Sequence, residues 1–200
     1  MLLGVGTGST AAAFIAEIGA SGIPLAGAVP SSLATGRLLA REGIAVVEPA
    51  GVSHLELYVD GADEADTELR LIKGGGGALT REKMLASIAQ MFICITDDSK
   101  ESMQLGTFPL AVEVLPCAVA AAKRGLVELG GVPGLRSGFI TDNGNVVLDV
   151  IGLDFADPVR LESMIDGIAG VVANGVFARR PADLLIVGTS EGGTRRLVRA

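Results

Sequence analysis

Leu2-Leu3-Gly4-Val5-Gly6-Thr7-Gly8-Ser9-Thr10 is an apolar run that stops in glycines and hydroxyls, and residues 9–18 behind it carry a helical pattern. The stretch reads as strand, loop and helix, with Ser9 or Thr10 as the cap. The same alternation continues outward. Leu25–Val29 is a second buried strand, residues 32–42 a helix, and 45–47 and 57–59 two more strands. Residues 79–90 form a helix and 92–95 another strand. Strands alternating with helices predict a parallel sheet covered on both faces.

Near Phe108 the pattern changes. Val112–Val114 alternates, residues 117–129 are helical, and 139–141 and 146–150 flank Asp142-Asn143-Gly144-Asn145, an Asn-Gly hairpin signal. A helix near 158–168 precedes Leu184–Gly188, which reads as a last strand of the first domain. The expected fold is α/β: a doubly wound, mainly parallel sheet domain with a second, smaller α+β lobe. The expected boundaries are 1–107 with 178–200 for the catalytic domain and 108–177 for the lobe.

Composition excludes several classes. With 16 Lys+Arg against 23 Asp+Glu, the net charge of −7 offers no basic field for nucleic acid or an anionic membrane. A hydrophobic share of 49% supplies a full core. No apolar segment reaches the roughly 18 residues of a membrane span. The amino-terminal stretch lacks the basic n-region of a signal peptide, so a cytoplasmic location is expected. Cys94 and Cys117 have no metal spacing and read as small core hydrophobes. His54, the single histidine, reads as a surface loop residue.

Four polar loops follow the strands. Gly6, Thr7, Gly8, Ser9 and Thr10 could present N–H groups and hydroxyls to a phosphate at a helix start, or form a plain turn and cap. The loop is neither GxGxxG nor a P-loop, and no acidic residue follows the second strand to hold a cofactor ribose. Asp60, Gly61, Ala62 and Asp63 could place two carboxylates at a strand end, on sugar hydroxyls or in a solvated turn. Lys73 precedes the four glycines Gly74, Gly75, Gly76 and Gly77 and a helix whose first turn holds Glu82. Such a loop can surround an oxyanion with amides while Lys73 adds charge; the alternative is a flexible linker. Lys100 closes Thr96-Asp97-Asp98-Ser99-Lys100, where it either reaches the same cleft or is an isolated surface charge.

Taken together these segments resemble ribose-5-phosphate isomerase type A. They are GVGTGST at 4–10, VDGADE at 59–64, KGGGGALTREK at 73–83, FICITDDSK at 92–100, VEVLP at 112–116, TDNGNVVLDV at 141–150 and ADLLIVGT at 182–189. The resemblance implies interconversion of D-ribose 5-phosphate and D-ribulose 5-phosphate in the pentose phosphate pathway, with no metal or organic cofactor. It implies a homodimer or homotetramer whose partner is a small sugar phosphate. By resemblance the proton acceptor is Glu82, and the substrate loops are Thr7 to Thr10, Asp60 to Asp63 and Lys73 to Gly76, with Lys100 in addition. In the same reading Lys73 steadies the oxyanion, and Asp60, then Asp63, is the second acid. Family members usually carry a further helix before the first strand, with a basic residue near the phosphate. Phosphate is therefore expected to rest here on Gly8, Ser9, Thr10 and Lys100. Two alternatives stand beside this reading: a sugar-phosphate-binding regulatory module and an inactive, truncated relative.

Overall fold

A computed structural model describes residues 1–199, and internal contacts divide the chain into two compact units. The first contains Met1–Ala62, Arg81–Ser99 and the chain from Ala182 onward; the second contains Asp63–Thr80 and Lys100–Pro181. Residues 63–80, 100–107 and 178–181, expected with the catalytic domain, therefore pack in the second unit. The cause is strand pairing. In chain order β1 is Leu2–Val5, β2 Gly27–Pro30, β3 Leu55–Asp60, β4 Glu64–Ala65 and β5 Leu71–Ile72. Next come β6 (Ala89–Asp97), β7 (Leu110–Val114), β8 (Val132–Leu135), β9 (Val146–Ile151), β10 (Val171–Asn174), β11 (Val176–Phe177), β12 (Leu184–Gly188) and β13 (Thr194–Val198). The short strands β4 and β5 form a three-stranded sheet with β11 and leave the first sheet altogether.

In the first unit six strands run in the order β13-β12-β6-β3-β1-β2. All neighbours are parallel except the edge strand β13, which lies antiparallel on β12. The helices Ser9–Ser21 (α1) and Leu33–Arg41 (α2) follow β1 and β2. One core packs Leu3, Val5, Ile15, Ala28, Leu39 and Val59. From β1 the chain crosses first to β2 on one side and then to β3 on the other. The ends of β1 and β3 thus flank a topological switch point, where open parallel sheets bind ligands. This is the expected doubly wound, mainly parallel architecture. Residues 45–47 make only a single-residue bridge at Val46 to Ala28 instead of a strand, because the flanking backbone bonds reach β2 at one point.

The second unit has a smaller, antiparallel sheet, β10-β7-β9-β8. The helices Val119–Glu128 (α4) and Pro158–Asp166 (α5) bury Ala122, Leu126, Leu161 and Ile165 with Leu110, Val112, Leu148 and Val150 of the sheet. The Asn-Gly turn forms, with Thr141 N donating to Asn145 O at 2.9 Å, but 139–141 is not a strand. Beyond that one bond the backbone partner of β9 on this side is β8, whose ladder continues through Arg136 N to Val147 O at 2.9 Å. Cys94 is buried as expected, whereas Cys117 is exposed on the turn that opens α4. Helix Leu79–Ile88 (α3) connects the units in sequence, the division falling after Thr80.

Candidate active site

Gly8, not Ser9 or Thr10, is the cap of α1, at φ 124°, and no side chain caps that helix. Gly8 O accepts from Ala12 N at 2.9 Å, while Gly8 and Ser9 are exposed. The amides of a first turn carry the positive end of the helix dipole, so an uncapped glycine start suits an anion. Thr7 faces inward. Its Oγ1 lies 2.6 Å from Ser31 Oγ, 2.9 Å from Ser32 Oγ and 3.1 Å from Thr35 Oγ1, and Thr35 Oγ1 donates to Gly6 O at 2.8 Å.

Asp60, fully buried at the end of β3, joins the loops after β1 and β3. Its Oδ1 accepts from Gly61 N at 2.7 Å and Thr7 N at 3.2 Å, and its Oδ2 accepts from the Tyr58 hydroxyl. Only glycine fits at position 6, since a Cβ there would stand 1.8 Å from Asp60 Oδ1. Glu82, in the first turn of α3, is 3% exposed and its Oε2 is enclosed. Burial pushes the Tyr58 hydroxyl well above its ordinary range, and the Asp60 and Glu82 carboxylates push it further. Tyr58 is therefore a neutral donor set among two acids.

In the second unit, Asp63 accepts from Gly75 N at 2.8 Å through Oδ2. Lys73 is 3% exposed, with its ammonium 5.8 Å above the Phe177 ring. Gly77 N closes the loop onto Gly74 O at 2.9 Å, and Gly74 and Gly77 have φ of 107° and 74°. Arg136 donates from Nη1 to Gly74 O at 3.2 Å and to Gly75 O at 3.1 Å. Glu113, fully buried on β7, accepts from Thr80, Thr141, Asn143 and Asn145 and so ties down the first turn of α3. Lys100 is half-buried at the end of the turn Asp98–Lys100. In that motif Asp98 accepts from Ser190 N at 2.9 Å, which holds its carboxyl below the usual range.

Within the first unit the structure thus joins Thr7, Tyr58 and Gly61 to Asp60, with the Glu82 carboxylate close enough to act on the Tyr58 hydroxyl through its charge; within the second it joins Asp63 to Gly75. Sequence reading missed Tyr58, Ser31, Ser32, Thr35, Glu113 and Arg136. Tyr58 had a signal: two residues before Asp60 on a strand, it shares that residue's face. Arg136 and Glu113 had none, because their partners are 61 and 33 residues away along the chain. Among the described residues no group of three His, Cys, Asp or Glu is arranged to hold a metal ion, and no helix is long and apolar enough to cross a membrane.

The profile of the family described as "Ribose 5-phosphate isomerase A (phosphoriboisomerase A)" matches residues 27–192. Ribose-5-phosphate isomerase A of Acidithiobacillus ferrooxidans is 54% identical over 196 residues, 98% of this chain and 90% of the relative. The crystal structure of ribose 5-phosphate isomerase A from Neisseria gonorrhoeae superposes with a TM-score of 0.97 at 46% identity, covering 100% of this chain and 89% of that one. A D-ribose-5-phosphate isomerase solved in complex with phospho-erythronic acid matches with a TM-score of 0.94 at 38% identity, covering 100% of this chain and 91% of that one.

Proposed function

The chain belongs to the ribose 5-phosphate isomerase A family and interconverts ribose 5-phosphate and ribulose 5-phosphate, and from that premise we propose that Glu82 is the base that carries the proton between the two carbons. The observation behind this assignment is a carboxylate 3% exposed in the first turn of α3, directly after a loop built of glycine. In the open-chain aldose, Glu82 removes the proton of C2. The electrons form the C1–C2 double bond of an enediolate, with negative charge on O1. The O2 proton passes to O1, and Glu82 returns its proton to C1, leaving the C2 ketone. Lys73 and the amides of Gly74 to Gly76 stabilise the oxyanion. The second acid exchanges the oxygen protons and helps open the ring. Asp60 already serves three protein donors and Asp63 one, which favours Asp63 for that exchange and Asp60 for holding its loop.

The phosphate rests on the start of α1, on Gly8, Ser9 and Thr10, with Lys100 as the cation and Thr7 bracing the loop from behind. The relative solved with phospho-erythronic acid holds a phosphorylated sugar acid, the class of anion such a site accepts. The chain works in the cytoplasm as a homodimer or homotetramer; the cross-strand neighbours Val132 and Ile151, 64% and 55% exposed, support self-association. Sedimentation of the purified chain tests the oligomer.

For the chemistry, the experiment is steady-state turnover of ribose 5-phosphate by the chain and by Glu82→Gln. The variant is expected to bind substrate and to lose kcat by about 10²–10⁴-fold, the worth of a general base. A kcat near that of the unaltered chain removes Glu82 from the mechanism, and no turnover by the unaltered chain leaves a binding module.

A further inference from the structure

The loop Lys73–Gly77 contains four consecutive glycines, and nothing in its own side chains fixes which way its peptides face. Arg136 does so from β8's end. Its Nη1 reaches Gly75 O at 3.1 Å and Gly74 O at 3.2 Å, and Nη2 reaches Gly74 O at 3.2 Å. The guanidinium is anchored in turn. Nε donates to Asp149 Oδ2 at 2.9 Å and Nη2 to Asp149 Oδ1 at 2.5 Å, and the group lies 5.3 Å from the centre of the Phe139 ring. The Arg136 side chain is only 18% exposed, so this is not a screened surface pair.

The described chain has no cis peptide bonds, and in a trans peptide the C=O and the next N–H point in opposite directions. With the carbonyls of Gly74 and Gly75 turned toward Arg136, the N–H groups of Gly75 and Gly76 must turn away from it. Gly75 N–H does so, donating to Asp63 Oδ2 at 2.8 Å. The Gly76 N–H is turned to the same side by the same guanidinium. We infer that Arg136 is a positioning residue of the isomerase, which by clamping two loop carbonyls aims the Gly75 and Gly76 amides at Asp63 and at the oxyanion of the substrate. This rests on the assignment of that loop to the substrate. A lysine cannot replace the arginine, since one ammonium cannot span a carboxylate and two carbonyls in a fixed plane.

The test combines kinetics with amide shifts, on the full chain. In ¹⁵N-labelled unaltered protein, an equilibrium mixture of ribose 5-phosphate and ribulose 5-phosphate should shift the Gly75 and Gly76 amides. Arg136→Ala should lower kcat per folded molecule by about 10²-fold and Arg136→Lys by about 10-fold, as loss of aimed oxyanion donors does. KM should change by less than about 3-fold, because the donors act on charge that develops only in the transition state. Added guanidinium should restore part of the kcat of Arg136→Ala. A merely structural arginine would lower the melting temperature and leave kcat per folded molecule intact. Shifted amides with a kcat for Arg136→Lys within about 3-fold of the unaltered chain overturn the inference about Arg136 alone. Unshifted amides in the unaltered protein overturn the loop assignment as well. If Arg136→Ala does not fold, Arg136→Lys decides.

Discussion

Gly6–Thr10 and Lys73–Gly77 are both glycine loops ahead of a helix, but they are held by different means. The first runs straight from β1 into α1, and its anchors are near neighbours in a parallel sheet: Asp60 at the end of β3, and Ser31 and Thr35 just past β2. The second takes its anchors from side chains of distant elements. Asp63 holds one amide, Arg136 two carbonyls, and Phe139 lies against Gly77. The difference follows from backbone entropy. Both loops end on a helix, but only the second has four glycines in a row, which lose the most freedom on ordering. The first loop offers amides and hydroxyls to a phosphate that is unchanged by the reaction. The second brings a cation as well, suited to charge that appears only during it.

That contrast is sharpened by changing one residue in each loop. Lys73→Met is expected to lower kcat by about 10²–10³-fold, the cost of removing a main oxyanion stabiliser. Ser9→Ala is expected to leave kcat nearly unchanged and to raise KM by about 10- to 100-fold, since one hydrogen bond to a charged group is worth about 1.5–3 kcal/mol and 1.4 kcal/mol is tenfold. Steady-state kinetics on both variants separates the roles. If both changes fall on KM, the two loops do the same work and the distinction collapses.

The glycines themselves break the comparison in a second way. At Gly6 an added Cβ would stand 1.8 Å from Asp60 Oδ1, an atom held by two amides in a fully buried site. At Gly77 the Cβ would stand 2.1 Å from Phe139 Cζ, the far end of a half-buried ring that can swing aside. Gly6→Ala should cost about 3 kcal/mol or more, from overpacking plus a disturbed buried carboxylate. Gly77→Ala should cost about 1–3 kcal/mol, the strain of alanine at positive φ and the displaced ring. Shortening the ring with Phe139→Leu should recover part of the second loss and none of the first, read from urea unfolding midpoints. Equal recovery in both would mean the first loop is no more tightly built than the second.

The fold was legible wherever local pattern and pairing agree. The first parallel strands and helices follow from apolar runs broken by glycine and hydroxyl residues, and the alternation alone announces the crossovers. The two-residue strands β4, β5 and β11 were invisible, because segments so short carry no periodicity and form only when brought together. The hairpin was half legible. Asn143-Gly144 marked the turn, but β9 lies between β7 and β8, and those partners are set by tertiary pairing that the turn does not announce. In the site, the carboxylates and glycines stood out by type and spacing. What orients them, Arg136 and Tyr58 above all, is ordinary in sequence and acquires its role only from tertiary contacts.

Tyr58 gives the smallest and most direct test of how the first loop is anchored. It is the only tyrosine in a chain without tryptophan, so tyrosinate absorbance reports this one hydroxyl. The hydroxyl donates to Asp60, and burial with the Asp60 and Glu82 carboxylates raises its pKa well above 10.0. A group whose folded pKa is raised contributes stability that is complete below the unfolded pKa and is lost as pH climbs through the folded value. Above pH 10 the unfolded chain releases this proton and the folded chain does not, so stability should fall by about 1.4 kcal/mol per pH unit from Tyr58 alone. Other groups that release protons in this range do so equally in a Tyr58→Phe variant, and the difference between the two stability curves isolates the tyrosine. The variant should be about 1.5–3 kcal/mol less stable near neutrality, for want of a hydrogen bond to a charged group. The gap should narrow as pH rises past 10. In the unaltered chain tyrosinate should appear only together with loss of the far-ultraviolet circular dichroism. Tyrosinate appearing near pH 10 with that signal intact would mean that Tyr58 opens to solvent in the folded state, and that Asp60 holds its loop without it.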